Sequence, residues 1–338
     1  MTLLQTLLRV TAFKNPLLRT LVPSVALAYG IQAAVAVPSI AAQTERYYDL
    51  SGSLTYLSCT ALSLVLPYMR ARAAGTVTGG ITEYFSSQGL GQGTWWWRQA
   101  LLSAAVGIWA TRCVFFLLSM VGSYLYKRIQ SDEGKDSRFD SIRTSPPKFF
   151  VAFFAQATWV SLCTLPVILV NSVPRSAYAT SLLGKAVSSK PYLTDILGLA
   201  IFVFGLTFEV VADRQKDAWV QGKKQKKHSE EFLTHGLWSK SRHPNYFGEA
   251  TLWSGIAIAA AGLLVRQPAQ AALGLSGGLG GQVLVAGMCA ASPAFVSFLL
   301  LKVSGVPLSE NKYDERYGDR KDYQKWKRET PMFVPKIW

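Results

Sequence analysis

The sequence predicts an all-α fold, a multi-pass transmembrane helical bundle of about seven spans, and three observations carry that prediction. Half of the 338 residues are apolar and only 16% are charged, with ten Trp, fourteen Tyr and seventeen Phe, a balance foreign to an ordinary soluble domain. Apolar stretches near the roughly 20 residues that cross a bilayer recur at 17–37, 50–69, 100–121, 149–170, 195–212, 246–265 and 282–301. Hydrocarbon offers no partner for a backbone N–H or C=O, so segments of this length must close their hydrogen bonds internally, as helices do.

The first segment follows an N-terminus that carries Arg9, Lys14 and Arg19 and has no acid before Glu45. That pattern also fits a mitochondrial transit peptide, but a retained first helix is the working assignment, since the apolar run starts late and six more follow. The second segment contains several Ser and Thr, the third contains Arg112, and the sixth reaches spanning length by starting near Tyr246. Residues 130–147 read as a polar loop that ends in a Pro146-Pro147 break, and the Gly-rich stretch 274–281 as a flexible connection. The organisation expected is a segment 1–94 holding the first two membrane helices and a loop, then a domain 95–338 whose polar end, 302–338, forms a cytosolic cap. Cys59, Cys113, Cys163 and Cys289 lie far apart inside the spans, without metal or redox spacing, and read as packing residues.

The formal charge is +15, yet the basic residues sit between apolar runs rather than on one soluble face, which argues against nucleic acid as a partner. With seven spans, segments 41–49, 122–148, 213–245 and 302–338 share one side and hold 1, 6, 8 and 9 Lys or Arg. Positive loops favour the cytoplasm, so the C-terminus is expected in the cytosol and the N-terminus in the lumen or outside.

Polar chemistry concentrates where the fifth segment ends and the sixth begins. Glu209, Asp213 and Lys216 recur at helical spacing on one face, and Lys223, Lys224, Lys226 and Lys227 follow as a cluster suited to lipid headgroups or to the phosphates of a dinucleotide. Gly236 and Trp238 read as a turn and an interfacial aromatic anchor. Ser241-Arg-His-Pro-Asn-Tyr246 then opens a helix whose free N–H groups, beside Arg242, suit a phosphate or carboxylate. Arg242 is able to fork onto a phosphate, His243 and Asn245 to hydrogen-bond phosphate, ribose or amide, and Tyr246 to stack on a ring or give up a proton, with Glu249 a turn further on. The plainer reading is a loop that serves lipid headgroups, but five such groups within eight residues exceed what anchoring needs. His228, His235 and His243 lack zinc-site spacing and adjoin Arg242, so no metal is expected. In the tail, Tyr313 with Tyr317 and Tyr323 with Trp326 share faces able to pack on this loop.

The string Gly236-Leu-Trp-Ser-Lys-Ser-Arg-His-Pro-Asn-Tyr-Phe-Gly-Glu249 resembles the signature of the steroid 5-alpha-reductase-like membrane proteins, in particular their branch of uncharacterised function. Further matches are Trp109 to Arg112, Gly134-Lys-Asp-Ser-Arg-Phe139, Phe208-Glu to Gln215-Lys216, and the tail from Tyr317-Gly318 to Pro335, so that the resemblance covers about residues 95–338. It implies reduction by NADPH of a carbon–carbon double bond in a sterol or other lipid, a hydrophobic small-molecule substrate; the membrane expected is the endoplasmic reticulum, with a mitochondrial membrane the alternative that the basic N-terminus leaves. By position, Asp213, Lys216, Trp238, Arg242, His243, Asn245, Tyr246, Glu249, Tyr317 and Tyr323 would line the cofactor site, with Tyr246 and Glu249 catalytic. The chain is similar, more distantly, to isoprenylcysteine carboxyl methyltransferases, which share an Arg-His-Pro element and bind S-adenosylmethionine. A scaffold without catalysis would need no such cluster. One departure concerns the substrate half. The acids before residue 132 are Glu45, Asp49 and Glu83, all outside the predicted spans, which leaves Tyr56 and Tyr68 as donors.

Overall fold

The computed structural model of the chain describes residues 3–86, 97–128, 137–178, 187–188 and 190–336. Among them all regular structure is helical: α1 (Leu3–Val10), α2 (Pro16–Ala41), α3 (Tyr48–Ala73), α4 (Ile81–Ser86), α5 (Trp97–Arg128), α6 (Pro146–Asn171), α7 (Leu193–Lys224), α8 (Pro244–Leu264), α9 (Gln267–Ala272), α10 (Leu279–Phe298), α11 (Val306–Tyr317) and α12 (Lys321–Glu329). Among the described residues six segments are long and apolar enough to cross a membrane: α2, α3, α6, α7, α8, and the run Leu279–Tyr317 that joins α10 to α11 through a π turn at Leu299–Val303. The expected span 100–121 falls within α5, which is not among those six.

Local chemistry sets several boundaries. The Asn15 side chain accepts from Leu17 N at 2.8 Å ahead of α2, and Pro16 sits in the first turn, where its missing N–H costs nothing. The same logic reverses one expectation, because Pro146-Pro147 opens α6 instead of breaking the chain. The Gly-rich stretch also divides: Gly274 and Gly277 turn with φ of 73° and 70°, and α10 begins at Leu279. The first part of the polar loop before α6, residues 130–136, and the expected division at 94–95 lie outside the described residues.

The chain forms two compact units, Met1–Tyr192 with Ala260–Cys289, and Leu193–Ala259 with Ala290–Trp338. In the first, α2 packs on α3 and α6 around a core that includes buried polar side chains. Gln32 Nε2 donates to Thr55 Oγ1 at 2.8 Å, and Ser51 Oγ reaches the side-chain oxygens of Gln32 and Gln156, each at 3.3 Å. Asn171 Nδ2 donates to Ser63 Oγ at 2.8 Å and Ser103 Oγ at 3.1 Å. The early acids are engaged by arginines: Arg143 Nε lies 2.8 Å from Glu45 and Arg138 Nη2 3.3 Å from Asp49. Tyr56 is buried with its ring edge-on to Trp109, while the Tyr68 hydroxyl donates to Gly79 O at 3.1 Å. Cys59, Cys163 and Cys289 are buried free thiols, as packing residues should be; the Cys113 side chain is outside those described.

In the second unit α7 and α8 run antiparallel with their backbones close together. A Cβ added at Gly205 would lie 2.5 Å from Leu252 N, one at Gly248 2.6 Å from Glu209 N, and one at Gly255 2.5 Å from Phe202 N. Small residues permit this approach where lipid supplies no hydrophobic drive between helices. The seam sets the last turns of α7 beside the first turn of α8. Gly248→Leu is therefore expected to lower stability by about 1–3 kcal/mol or to abolish folding, the range for overpacking, as read from thermal unfolding of the detergent-purified protein.

Candidate functional site

Between α7 and α8 the chain turns at Gly236, whose φ of 62° favours glycine, and a Cβ there would also meet Gln215 Oε1 at 2.5 Å. Gln215 uses that oxygen to accept from Leu237 N at 2.8 Å. The following 3-10 turn, Gly236–Ser239, swings Trp238 inward, where its indole N–H donates to Ala212 O at 3.0 Å. Trp238 is thus a buried brace and not the interfacial anchor its sequence context suggests, because a polar handle with a backbone partner is better satisfied inside. Lys216 Nζ lies 5.4 Å from its ring centroid, within cation–π range.

Ser241 prepares the start of α8. Its Oγ accepts from His243 N at 3.1 Å and donates to Phe333 O at 2.8 Å. Arg242 N donates to Pro331 O and Lys336 N to Lys240 O, both at 2.9 Å, so the C-terminal strap is stitched to the segment that carries the Arg-His pair.

A cleft with about 580 Å³ of empty space, open solvent included, lies here. Its polar lining is Lys216, Arg242, His243, Asn245, Ser309 and Glu310. Its walls are aromatic: Trp219, Phe232 and Trp238 from one side of the sequence, Tyr246 from α8, and Tyr313, Tyr323 and Trp326 from the tail. Phe232, Tyr317 and Tyr323 form a buried cluster with Tyr313 and Trp326 packed against it, the packing the helical spacing of those aromatics predicts.

Glu310 organises the charges. Its carboxylate takes Arg242 Nη1 at 2.6 Å and His243 Nε2 at 2.9 Å, with Lys327 Nζ 3.2 Å away. Lys327 also bonds Asp314 Oδ2 at 2.6 Å, and Tyr323 OH donates to Asp314 Oδ1 at 2.8 Å. Burial first, then the hydrogen bond to Asp314, raises the Tyr323 phenol above its ordinary range, which keeps it a donor. The His243 and Tyr246 rings are nearly parallel, at 4°, with centroids 5.4 Å apart. Arg242 Nε, Asn245 Oδ1 and Trp326 Nε1 are buried and have no hydrogen-bond partner among the described residues. Such atoms are costly unless something else satisfies them.

Seven of the residues expected at a cofactor site line this cleft: Lys216, Trp238, Arg242, His243, Asn245, Tyr246 and Tyr323. Asp213, Glu249 and Tyr317 are not part of its lining. Asp213 is half-buried nearly a turn before Lys216, and Glu249 is half-buried next to Gly248, where α7 packs closely. Tyr317 is buried against Phe232 and hydrogen-bonds Glu231 O at 3.1 Å. His228 Nε2 sits 2.8 Å from Trp219 O and His235 is exposed, so the three histidines do not converge. Sequence reasoning passed over Glu310, Trp219 and Phe232 as contributors. The available signal for Glu310 was its spacing of four residues from Asp314 on a polar helix, two acids facing a tail rich in Lys and Arg.

Fold and site together define a multi-pass helical membrane protein with an aromatic, basic cleft built where α7 ends and α8 begins. The family described as "Protein of unknown function (DUF1295)" matches residues 74–276 and 278–330, and the chain belongs to it. No curated protein and no solved structure matches the chain.

Ser241→Ala removes the hydrogen bond to His243 N ahead of α8 and one bond to the strap. It is expected to cost about 1 kcal/mol, visible as a lower melting temperature and earlier proteolysis of the C-terminal residues.

Proposed function

We propose that the protein is a membrane-embedded NADPH-dependent reductase of a carbon–carbon double bond in a lipid, with the cleft as its cofactor site. The observation that carries this reading is the unsatisfied polar set on the lining, Arg242 Nε, Asn245 Oδ1 and Trp326 Nε1, set among aromatic rings and beside Lys216. A dinucleotide has the matching parts: anionic phosphates for Arg242 and Lys216, amide and hydroxyl groups for Asn245 and Trp326, and planar rings for the aromatic walls. The bound cofactor would supply a hydride for the electron-poor carbon of the double bond. Tyr246, held against His243, is the phenol available to deliver the accompanying proton. Glu249, a turn deeper on α8, supports Tyr246 in this reading instead of touching the cofactor.

The hydrophobic spans suit a substrate that arrives from the bilayer. Residues from 213–245 and 302–338 build the cleft together, which agrees with their assignment to one positively charged, cytosolic side, and an endoplasmic reticulum membrane suits such a reaction.

Thermal stability of the detergent-purified protein with NADPH, NADH and S-adenosylmethionine tests the cofactor by mass action. A rise with NADPH is expected; a rise with S-adenosylmethionine alone would assign the cleft to methyl transfer. Arg242→Ala is expected to weaken NADPH binding about tenfold or more, from the loss of a charged hydrogen bond, and an unchanged affinity would remove the phosphate role. A tag on the C-terminus is expected to be cut by protease added to sealed microsomes, whereas protection would reverse the topology.

A further inference from the structure

We propose that Glu310 is a positioning residue: one carboxylate on α11 fixes both the pose of the Arg242 guanidinium and the tautomer of His243, and so selects the edges that a ligand meets. The proposal rests on the reading of the cleft as a cofactor site and goes beyond it by naming what makes the site ready to bind.

Arg242 and His243 are consecutive in the chain, yet they converge on a single carboxyl group, one on each oxygen. An ionised carboxylate only accepts hydrogen bonds, so the ring nitrogen facing it must carry a hydrogen. Nε2 is that nitrogen. In the neutral ring Nδ1 is then left as a lone-pair acceptor, the opposite of the tautomer that Nε2 would need to act as the acceptor itself. Arg242 spends a terminal nitrogen on Glu310, and its Nε remains buried with no hydrogen-bond partner among the described residues.

The pair therefore offers a donor edge and an acceptor side by side. The ligand chemistry this fits is an anionic oxygen next to a group that donates, as a phosphate next to a sugar hydroxyl does. Glu310 is itself restrained. Lys327 bridges it to Asp314, and Asp314 is held by Tyr323, so the carboxylate is braced from α12 as well as from α11. The near-parallel contact of His243 with Tyr246 extends the restraint to the phenol in the cleft wall.

A purely structural ion pair would tie α11 through Arg242 to the segment that leads into α8 and leave the state of His243 immaterial. The test reads that state directly. The full-length protein carries three histidines, and with ring nitrogens labelled with ¹⁵N their shifts report the tautomer at alkaline pH. The native protein is expected to show His243 protonated at Nε2. In Glu310→Gln the amide can accept from one of the two residues but turns N–H groups toward the other, so a mixed tautomer is expected. NADPH affinity should fall about tenfold, as the loss of a charged hydrogen bond that holds Arg242 implies. Glu310→Asp, which keeps the charge, should restore most of both signals, and it carries the test if the Gln variant does not fold. Unchanged His243 shifts in a folded Gln variant, or an Asp variant whose tautomer is mixed as well, would overturn the proposal. If the native protein fails to bind NADPH the cofactor reading falls, while the nitrogen shifts, which need no ligand, still decide the role of Glu310.

Discussion

A single half-buried carboxylate, that of Glu310, holds the ends of the second unit together. It gathers a guanidinium, an imidazole and an ammonium from α12 and from the segment that leads into α8. Partly desolvated charges are destabilising unless every partner is present, and removing one member of such a group costs more than the pair contributes. The start of α8, the strap after α12 and α11 therefore stand or fall as a set.

That set has a fixed base because the glycine seam leaves α7 and α8 little freedom to slide. Gly205, Gly248 and Gly255 bring main chain against main chain, and packing at that distance transmits position without the slack of long side chains. Lys216 on α7 and Tyr246 on α8 consequently reach one cleft from helices running in opposite directions. At the other end of the chain of restraints, backbone bonds from Arg242 to Pro331 and from Lys336 to Lys240 clamp the tail across the same junction.

Within the cleft, aromatic rings and cations share the surface, with Glu310 the acid on its lining. This composition favours ligands that are flat in one part and anionic in another, and it leaves the polar edge of Arg242 and the amide oxygen of Asn245 for them. The first unit spends its buried polar groups differently. Gln32, Ser51, Thr55 and Gln156 bond one another across α2, α3 and α6, the interhelical bonding through which polar side chains join helices in lipid. Glu45 and Asp49 are taken up by Arg143 and Arg138.

Much was legible in the sequence by itself. The length and apolar content of its runs determined the helical membrane class, because the bilayer fixes both how long a span must be and how its backbone must be satisfied. Local spacing also placed the Arg242 to Tyr246 group at a helix start and matched the tail aromatics to one face, since both depend on residues within a turn or two. Other features needed the tertiary structure. The pairing of Glu310 with residues 67 and 68 positions away leaves no local trace, and neither does the inward turn of Trp238, which depends on a backbone carbonyl of α7. Pro146-Pro147 reads equally well as a break or as a first turn until the helix after it is seen. Asp213, Glu249 and Tyr317 share spacing with the cleft residues, but the packing around Gly248 and Phe232 decides which side chains reach the open space. Periodicity specifies a face; only the neighbouring helices decide what that face meets.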